Sequence, residues 1–365
     1  MNQPNALSNS VEYYGFAVGV EVVRFGDSAE YHMADMVAMK SAVNAGLSSS
    51  SARLGIREIA DADIDPVINL LARGFPSPRR YWEAGLERLR TRSVPPNMPR
   101  YGYVLEADGN PVGVILLISS LRRIGDREQP FSNLSGWYVE PGFRSHATQL
   151  FKRALANKQT TYLNVSAATH IRSIIEAFGF RRYSEGQVLA PLALARNRRN
   201  ARAYIVGVDS FDDCDLEVVE RQLLEVQAGY GCIAFCCATD GQTRPFVFVP
   251  RLLKGFIPCA QLAYCRKITD LADVAGTVGR HLLRHGRPFV LIDANGPIPG
   301  IPGKYFPDKA PKYYKGAAAP VLGDLTETEA TIFGFASGRL LTASAGVCRA
   351  LLRRAAGALS TMGWR

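Results

Sequence analysis

Residues Trp137–Leu155 read WYVEPGFRSHATQLFKRAL. An apolar strand, Leu134–Val139, ends at Glu140-Pro141, and a helix is predicted from about Ser145 to Ala156. A strand that turns directly into a helix points the loop's N–H groups at one spot. The loop Gly142–Thr148 is therefore suited to an anion, because the first N–H groups of a helix have no partner within it. Arg144 stands at the mouth of that loop. Ser145, His146, Ala147 and Thr148 complete it.

Upstream, YGYVLEADGNPVGVILL (101–117) predicts two strands, Tyr101–Glu106 and Val112–Ser119, joined by a turn at Asp108-Gly109-Asn110. Before them LGIREI (54–59) reads as a strand. A helix with Ile64, Val67, Ile68 and Leu71 on one face follows, then a second with Trp82, Leu86 and Leu89, ended by Pro95-Pro96. Downstream, TYLNVSAATHIRSIIEAFGFRRYSEGQ (161–187) predicts a strand, a helix around Ile171–Ala177, and a Gly179-Phe180 step into another strand.

After an Arg/Asn-rich linker near Arg196–Ala203 the pattern restarts. Ile233–Ala238 and Phe246–Val249 flank an Asp240-Gly241 turn. Ile257–Cys265 is a strand, Leu271–Arg284 a helix and Pro288–Asp293 a strand. The two Asp-Gly turns lie about 132 positions apart, which reads as two copies of one fold. The expected organisation is a tail or partial cover over 1–52, a first domain over 53–190 and a linker over 191–203. A second domain over 204–332 and a basic amphipathic tail over 333–365 complete it. The Gly-, Pro-, Tyr- and Lys-dense stretch Asn295–Lys315 reads as a solvated loop with aromatic anchors, or else as a groove lined by Lys304, Tyr305, Lys312, Tyr313, Tyr314 and Lys315.

The chain has 365 residues, 47% of them hydrophobic, enough for two domains with real cores. No run approaches the roughly 18 uninterrupted apolar residues of a membrane span, and no secretory signal pattern opens the sequence. The seven cysteines show no paired CxxC spacing, so no metal site is expected. Reduced, buried thiols in a cytoplasmic protein are the reading. The net charge is +10, but the basic runs Arg196–Arg202 and Arg349–Arg354 lack interleaved aromatics. That argues against nucleic acid, with tRNA the one exception kept, and suits a polyanionic small ligand.

The three quoted segments, in this order and spacing, resemble the GNAT (N-acetyltransferase) superfamily. The hairpin is similar to its central antiparallel pair, WYVEPGFRSHATQLFKRAL to its coenzyme-binding strand, loop and helix, and 161–187 to its closing strand, helix and strand. The resemblance covers about 130 residues well. It implies an α/β (α+β) fold of two GNAT-like lobes, each a mixed, mostly antiparallel sheet flanked by helices, with the second copy degenerate.

The resemblance also implies function. An acyl-CoA-dependent N-acyltransferase would move an acetyl or other acyl group from acetyl-CoA or another acyl-CoA to a small-molecule or peptide amine. Val139 and Arg144–Thr148 would hold the coenzyme. Where the family places glycines, this sequence has Ser145, Ala147 and Gln149. Where a general-acid Tyr is common it has Ile175, and near a common Asn it has Ala168. His170 and Glu140 are the catalytic candidates that remain. The turn Cys265–Thr269 of the second copy has no glycine, so that copy is not expected to bind coenzyme. The other readings are a non-catalytic binding protein on the same scaffold and an aminoacyl-tRNA-dependent transferase of tandem type.

Overall fold

The computed structural model describes residues 53–125, 127–197, 203–239 and 241–334. The expected N-terminal cover, most of the basic tail, the middle of the linker and Asp240 lie outside these residues. The first half runs β1 (Leu54–Glu58), α1 (Ile64–Gly74), α2 (Arg79–Thr91), β2 (Gly102–Ala107), β3 (Asn110–Ile124), β4 (Arg127–Val139), α3 (Ala147–Ala154), β5 (Thr161–Asn164), α4 (Thr169–Ala177) and β6 (Arg181–Ala190). The second half runs β7 (Tyr204–Val206), α5 (Val218–Gly229), β8 (Ile233–Thr239), β9 (Gln242–Leu253), β10 (Ile257–Cys265), α6 (Ile268–Arg284), β11 (Phe289–Ala294), β12 (Lys304–Lys315) and α7 (Glu329–Ile332).

Local chemistry accounts for most of these elements. In α1, Val67, Ile68, Leu70 and Leu71 are buried on one face, and in α2 Tyr81, Trp82, Gly85, Leu86 and Leu89 are. Residues Asp108 and Gly109 both adopt positive φ, as the tight turn between β2 and β3 requires. Helices α1 and α2 cover one face of the sheet's first half. Helices α3 and α4 cover the other, where Leu150, Phe151 and Ile175 pack with Leu117, Leu134 and Tyr313.

All twelve strands form one sheet in the order β1-β2-β3-β4-β5-β12-β6-β11-β10-β9-β8-β7. Read inward from either edge, each half presents five strands whose fourth and fifth pair parallel, β4 with β5 and β10 with β11. The next place in each lobe is taken by a strand of the other. Strand β12 lies between β5 and β6, and β6 lies between β11 and β12. The two-lobe architecture of mixed sheets is therefore present, with an exchange at its centre that the repeat pattern does not reveal.

The exchange corrects the reading of 295–315 as a loop. Residues Lys304–Lys315 are a central strand, and Tyr313 and Lys312 are buried. Two prolines disguise it, since proline removes a ladder donor and argues against a central strand. The strand tolerates Pro307 and Pro311 because its register with β6 breaks between Pro307 and Lys312. The Lys312 ammonium reaches across β6 to Asp293 of β11 at 3.0 Å, and the Gln187 side chain of β6 donates to the same carboxylate oxygen at 2.9 Å.

Because each lobe lacks an inner strand of its own, 53–197 and 203–334 expressed separately should fail to give a cooperative unfolding transition. Co-expressed, they should reassemble. Circular dichroism and size-exclusion chromatography check this, and a cooperatively folded, monomeric 53–197 fragment would contradict it.

Candidate functional site

The pairing of β4 with β5 covers three positions, Phe131↔Thr161, Ser132↔Tyr162 and Asn133↔Leu163. Strand β5 then stops at Asn164, while β4 runs on to Val139. On one side Ser135, Tyr138 and Val139 pair with β3. Among the described residues, no backbone–backbone hydrogen bond reaches the other edge of Ser135–Val139. The result is a wedge with unspent backbone donors and acceptors along one wall.

A bulge shapes that wall. Leu116 opposes Ser135 and Val114 opposes Tyr138, so Gly136 and Trp137 together face Ile115. Gly136 has φ of 54°, in the left-handed region that favours glycine, and a Cβ there would sit 3.1 Å from Leu71 and 3.2 Å from Leu116. Trp137 stacks on Phe151 of α3 at 4.6 Å between ring centroids. Tyr138 turns to the α1 side, beside Phe75.

Val139, one of the expected coenzyme contacts, is buried at the end of β4. The loop after it is more tightly wound than the sequence implies. Residues Pro141–His146 form a 3-10 helix that runs straight into α3. The N–H of Phe143 donates to the Glu140 carbonyl at 2.9 Å, and that of Ala147 to the Arg144 carbonyl. With these donors used internally, the turn offers fewer backbone N–H groups than the open loop expected from the sequence. Arg144, Ser145 and Thr148 are exposed, and Arg144 has no carboxylate partner among the described residues. His146 lies 3.4 Å from the Gln149 side chain through Nδ1.

The two catalytic candidates are not brought together. Glu140 follows β4 and forms an ion pair with Arg73 of α1 at 2.7 Å. His170 is exposed in the first turn of α4 and makes no hydrogen bond or ion pair among the described residues. Ile175 is fully buried in the core between α3 and α4, which accounts for an apolar residue at that position.

The second lobe has the same wedge and fills it. Strand β10 pairs with β11 only at Cys259, Ala260 and Gln261. Beyond them the chain's own residues Gly323–Leu325 line its edge. Cys265 N–H donates to the Gly323 carbonyl at 2.9 Å, and Leu325 N–H to the Ala263 carbonyl at 2.7 Å. Asp324 bridges to Tyr264. These residues begin a strap that crosses to the first lobe. Arg122 of β3 holds it through the Asp324 carboxylate at 2.9 Å and the Thr326 carbonyl at 2.7 Å. Arg92 pairs with Glu327, and Arg88 donates to the Ile332 carbonyl at 2.7 Å. Phe333 packs on Gly85 of α2, where a side-chain methyl would collide with its ring.

The strap carries a residue that sequence reasoning missed. The Glu329 carboxyl is buried and accepts a hydrogen bond from the Ser135 hydroxyl of β4 on Oε2, the Ser166 hydroxyl stands near it, and among the described residues no donor meets Oε1 with full hydrogen-bond geometry. Burial pushes it above the usual carboxylate range. The Ser135 and Ser166 hydroxyls and the Arg251 and Lys312 cations oppose that shift. No local signal marks Glu329, because its neighbours, Ser135 and Ser166 of the first lobe and Arg251 and Lys312 of the second, lie far from it in the chain. No group of three or more His, Cys, Asp or Glu residues that could hold a metal occurs among the described residues. No described helix is long and apolar enough to cross a membrane.

No protein-family model matches the chain, and no curated protein matches its sequence. Solved structures do resemble it in shape. A probable N-acyltransferase from Enterococcus faecalis V583 aligns over 75% of this chain and 74% of its own, with 11% identity and a TM-score of 0.46. A GCN5-related N-acetyltransferase from Anabaena variabilis aligns over 72% of each chain, with 10% identity and a TM-score of 0.48. A GNAT family acetyltransferase from Brucella melitensis, in complex with acetyl-CoA, aligns over 36% of this chain and 85% of its own, with 20% identity and a TM-score of 0.28. These are likenesses of shape, and none assigns a role to a residue of this chain.

Replacing Gly136 with Ala should destabilise the protein by about 1–3 kcal/mol, because the bulge needs the left-handed conformation and leaves little room for a methyl. Urea denaturation measures this. A loss below about 0.5 kcal/mol would show that the bulge relaxes instead.

Proposed function

We propose that the first lobe is an acyl-CoA-dependent N-acyltransferase, moving an acetyl or other acyl group to a small-molecule or peptide amine. The observation that carries this reading is the open edge of β4, set beside a second lobe whose matching edge is filled by Gly323–Leu325. An extended amide-bearing chain such as the pantetheine arm of coenzyme A can hydrogen-bond along such an edge as a strand would. Val139 stands at the end of that path. The coenzyme's pyrophosphate belongs at Arg144–Thr148, at the start of the helical segment. Arg144 supplies a charge-assisted contact there, with Ser145, His146, Ala147 and Thr148 around it.

Acyl transfer to an amine requires little from a protein: a thioester held beside a neutral amine, a donor for the developing oxyanion, and routes for protons. His170, exposed in the first turn of α4, is the proposed source of the proton for the departing thiolate, delivered through solvent. Glu140, held by Arg73, contributes to positioning at the mouth of the loop. With Ile175 buried, no phenol serves as acid at that position.

Calorimetry with acetyl-CoA should therefore give one site per chain, on the first lobe. A two-site isotherm would contradict the closed second wedge, and no binding at all would leave a non-catalytic scaffold. Arg144→Glu should weaken binding several-fold or more, since repulsion replaces attraction. Unchanged affinity would remove the 144–148 loop from the site.

A further inference from the structure

Burying an ionisable carboxyl is costly unless its oxygens are satisfied. Glu329 is buried with one oxygen satisfied and the other not, on a strap fastened by three arginines of the first lobe. Its hydrogen-bonding partner Ser135 lies on the open strand, one residue before the bulge. Among the described residues Oε1 makes no hydrogen bond of full geometry, the Ser166 hydroxyl stands near the carboxyl, and the group lies beside the wall proposed above to hold a thioester. A primary amine offered to that thioester is a donor of the right kind.

We infer that Glu329, supplied by the second lobe, is the proton acceptor for the attacking amine in the first lobe, a role that rests on the acyl transfer proposed above. The amine nitrogen forms a bond to the thioester carbonyl carbon and the carbon–sulfur bond breaks. The proton lost from nitrogen goes to Glu329 Oε1. The thiolate leaves and takes a proton from solvent, and Glu329 returns its own to solvent, so that an amide and a free thiol result.

This places the reacting carbonyl along the strand. At about 3.3 Å per residue, Val139 lies roughly 13 Å from Ser135, too far for both to serve one reacting centre. The carbonyl attacked by an amine at Glu329 must lie beside Gly136 and Trp137, where the bulge takes backbone out of the regular ladder. Val139 then contacts the coenzyme's arm, away from the reacting carbonyl. The groups that face the carboxyl are Ser135 of β4, Ser166 after β5, Arg251 of β9, Lys312 of β12 and Tyr81 of α2. Their balance sets the pH at which it can accept a proton.

The test follows thiol release from acetyl-CoA with a panel of primary amines, namely alkylamines, amino acids and lysine peptides. Acetyl-CoA binding is measured separately by calorimetry. Glu329→Gln should lower kcat about a hundredfold or more, leave acetyl-CoA affinity unchanged, and abolish the acidic limb of the kcat/KM profile. Ser135→Ala removes a donor that stabilises the carboxylate. It should move that limb to higher pH, a shift that a merely structural role would not produce, and it keeps the inference testable if Glu329→Gln does not fold. Unchanged turnover in Glu329→Gln, or an acidic limb unmoved in Ser135→Ala, would overturn the inference. Wild-type protein that binds acetyl-CoA but releases no thiol with any amine would overturn it too, while leaving the coenzyme site standing. Failure to bind acetyl-CoA would overturn the proposed function itself.

Discussion

A backbone group inside a sheet must find a partner, and here the partner for each lobe's fifth strand comes from the other lobe. Strand β5 is completed by β12 and β11 by β6. Neither half of the sequence can satisfy its own central ladder, so the two copies fold as one sheet. The buried Lys312–Asp293 pair, with Gln187 between them in the sheet, sits on this seam. An ion pair so buried adds little net stability when intact but is costly to break, which favours one register of the exchanged strands over others.

The same constraint creates the wedges. In both lobes the fourth strand pairs with the fifth over only three positions, so the fifth leaves the far end of the fourth uncovered. The two edges then meet different fates. In the second lobe Gly323–Leu325 act as a further short strand and use up the edge. In the first lobe no described residue pairs with that edge of β4, and the strap arrives beside it bearing side chains. One segment thus closes one lobe and equips the other. The repeat supplies a single geometry twice, and the chain after β12 makes the halves unequal.

Much of the fold was legible before any coordinates. The hairpin 101–117, the faces of α1 and α2, and the strand–turn–helix at 137–155 declare themselves through periodicity and turn residues, which act over a few positions. The strand 304–315 did not, because Pro307 and Pro311 argue locally against it and only its broken register with β6 accommodates them. The loop 141–146 misled in a milder way. Its composition marks a helix start but does not distinguish an open cradle from a 3-10 turn that binds its own carbonyls.

The candidate site divides in the same manner. Val139, Glu140 and Arg144–Thr148 are candidates from the sequence because they are contiguous with a recognisable strand and helix, and His170 because it lies beside the next. Glu329 was invisible, since a glutamate in a short C-terminal helix has no local mark of function, and Ser135 lies in the other lobe. By itself the sequence determined most elements of the first half, the outline of their repetition and the strand-to-helix turn after Val139, since those follow from short-range patterns of side chains. Only the tertiary structure decided which wedge stays open, which strand completes which lobe, and which carboxyl is driven into the core. These depend on hydrogen bonds and burial between residues far apart in the chain, for which the sequence carries no local record.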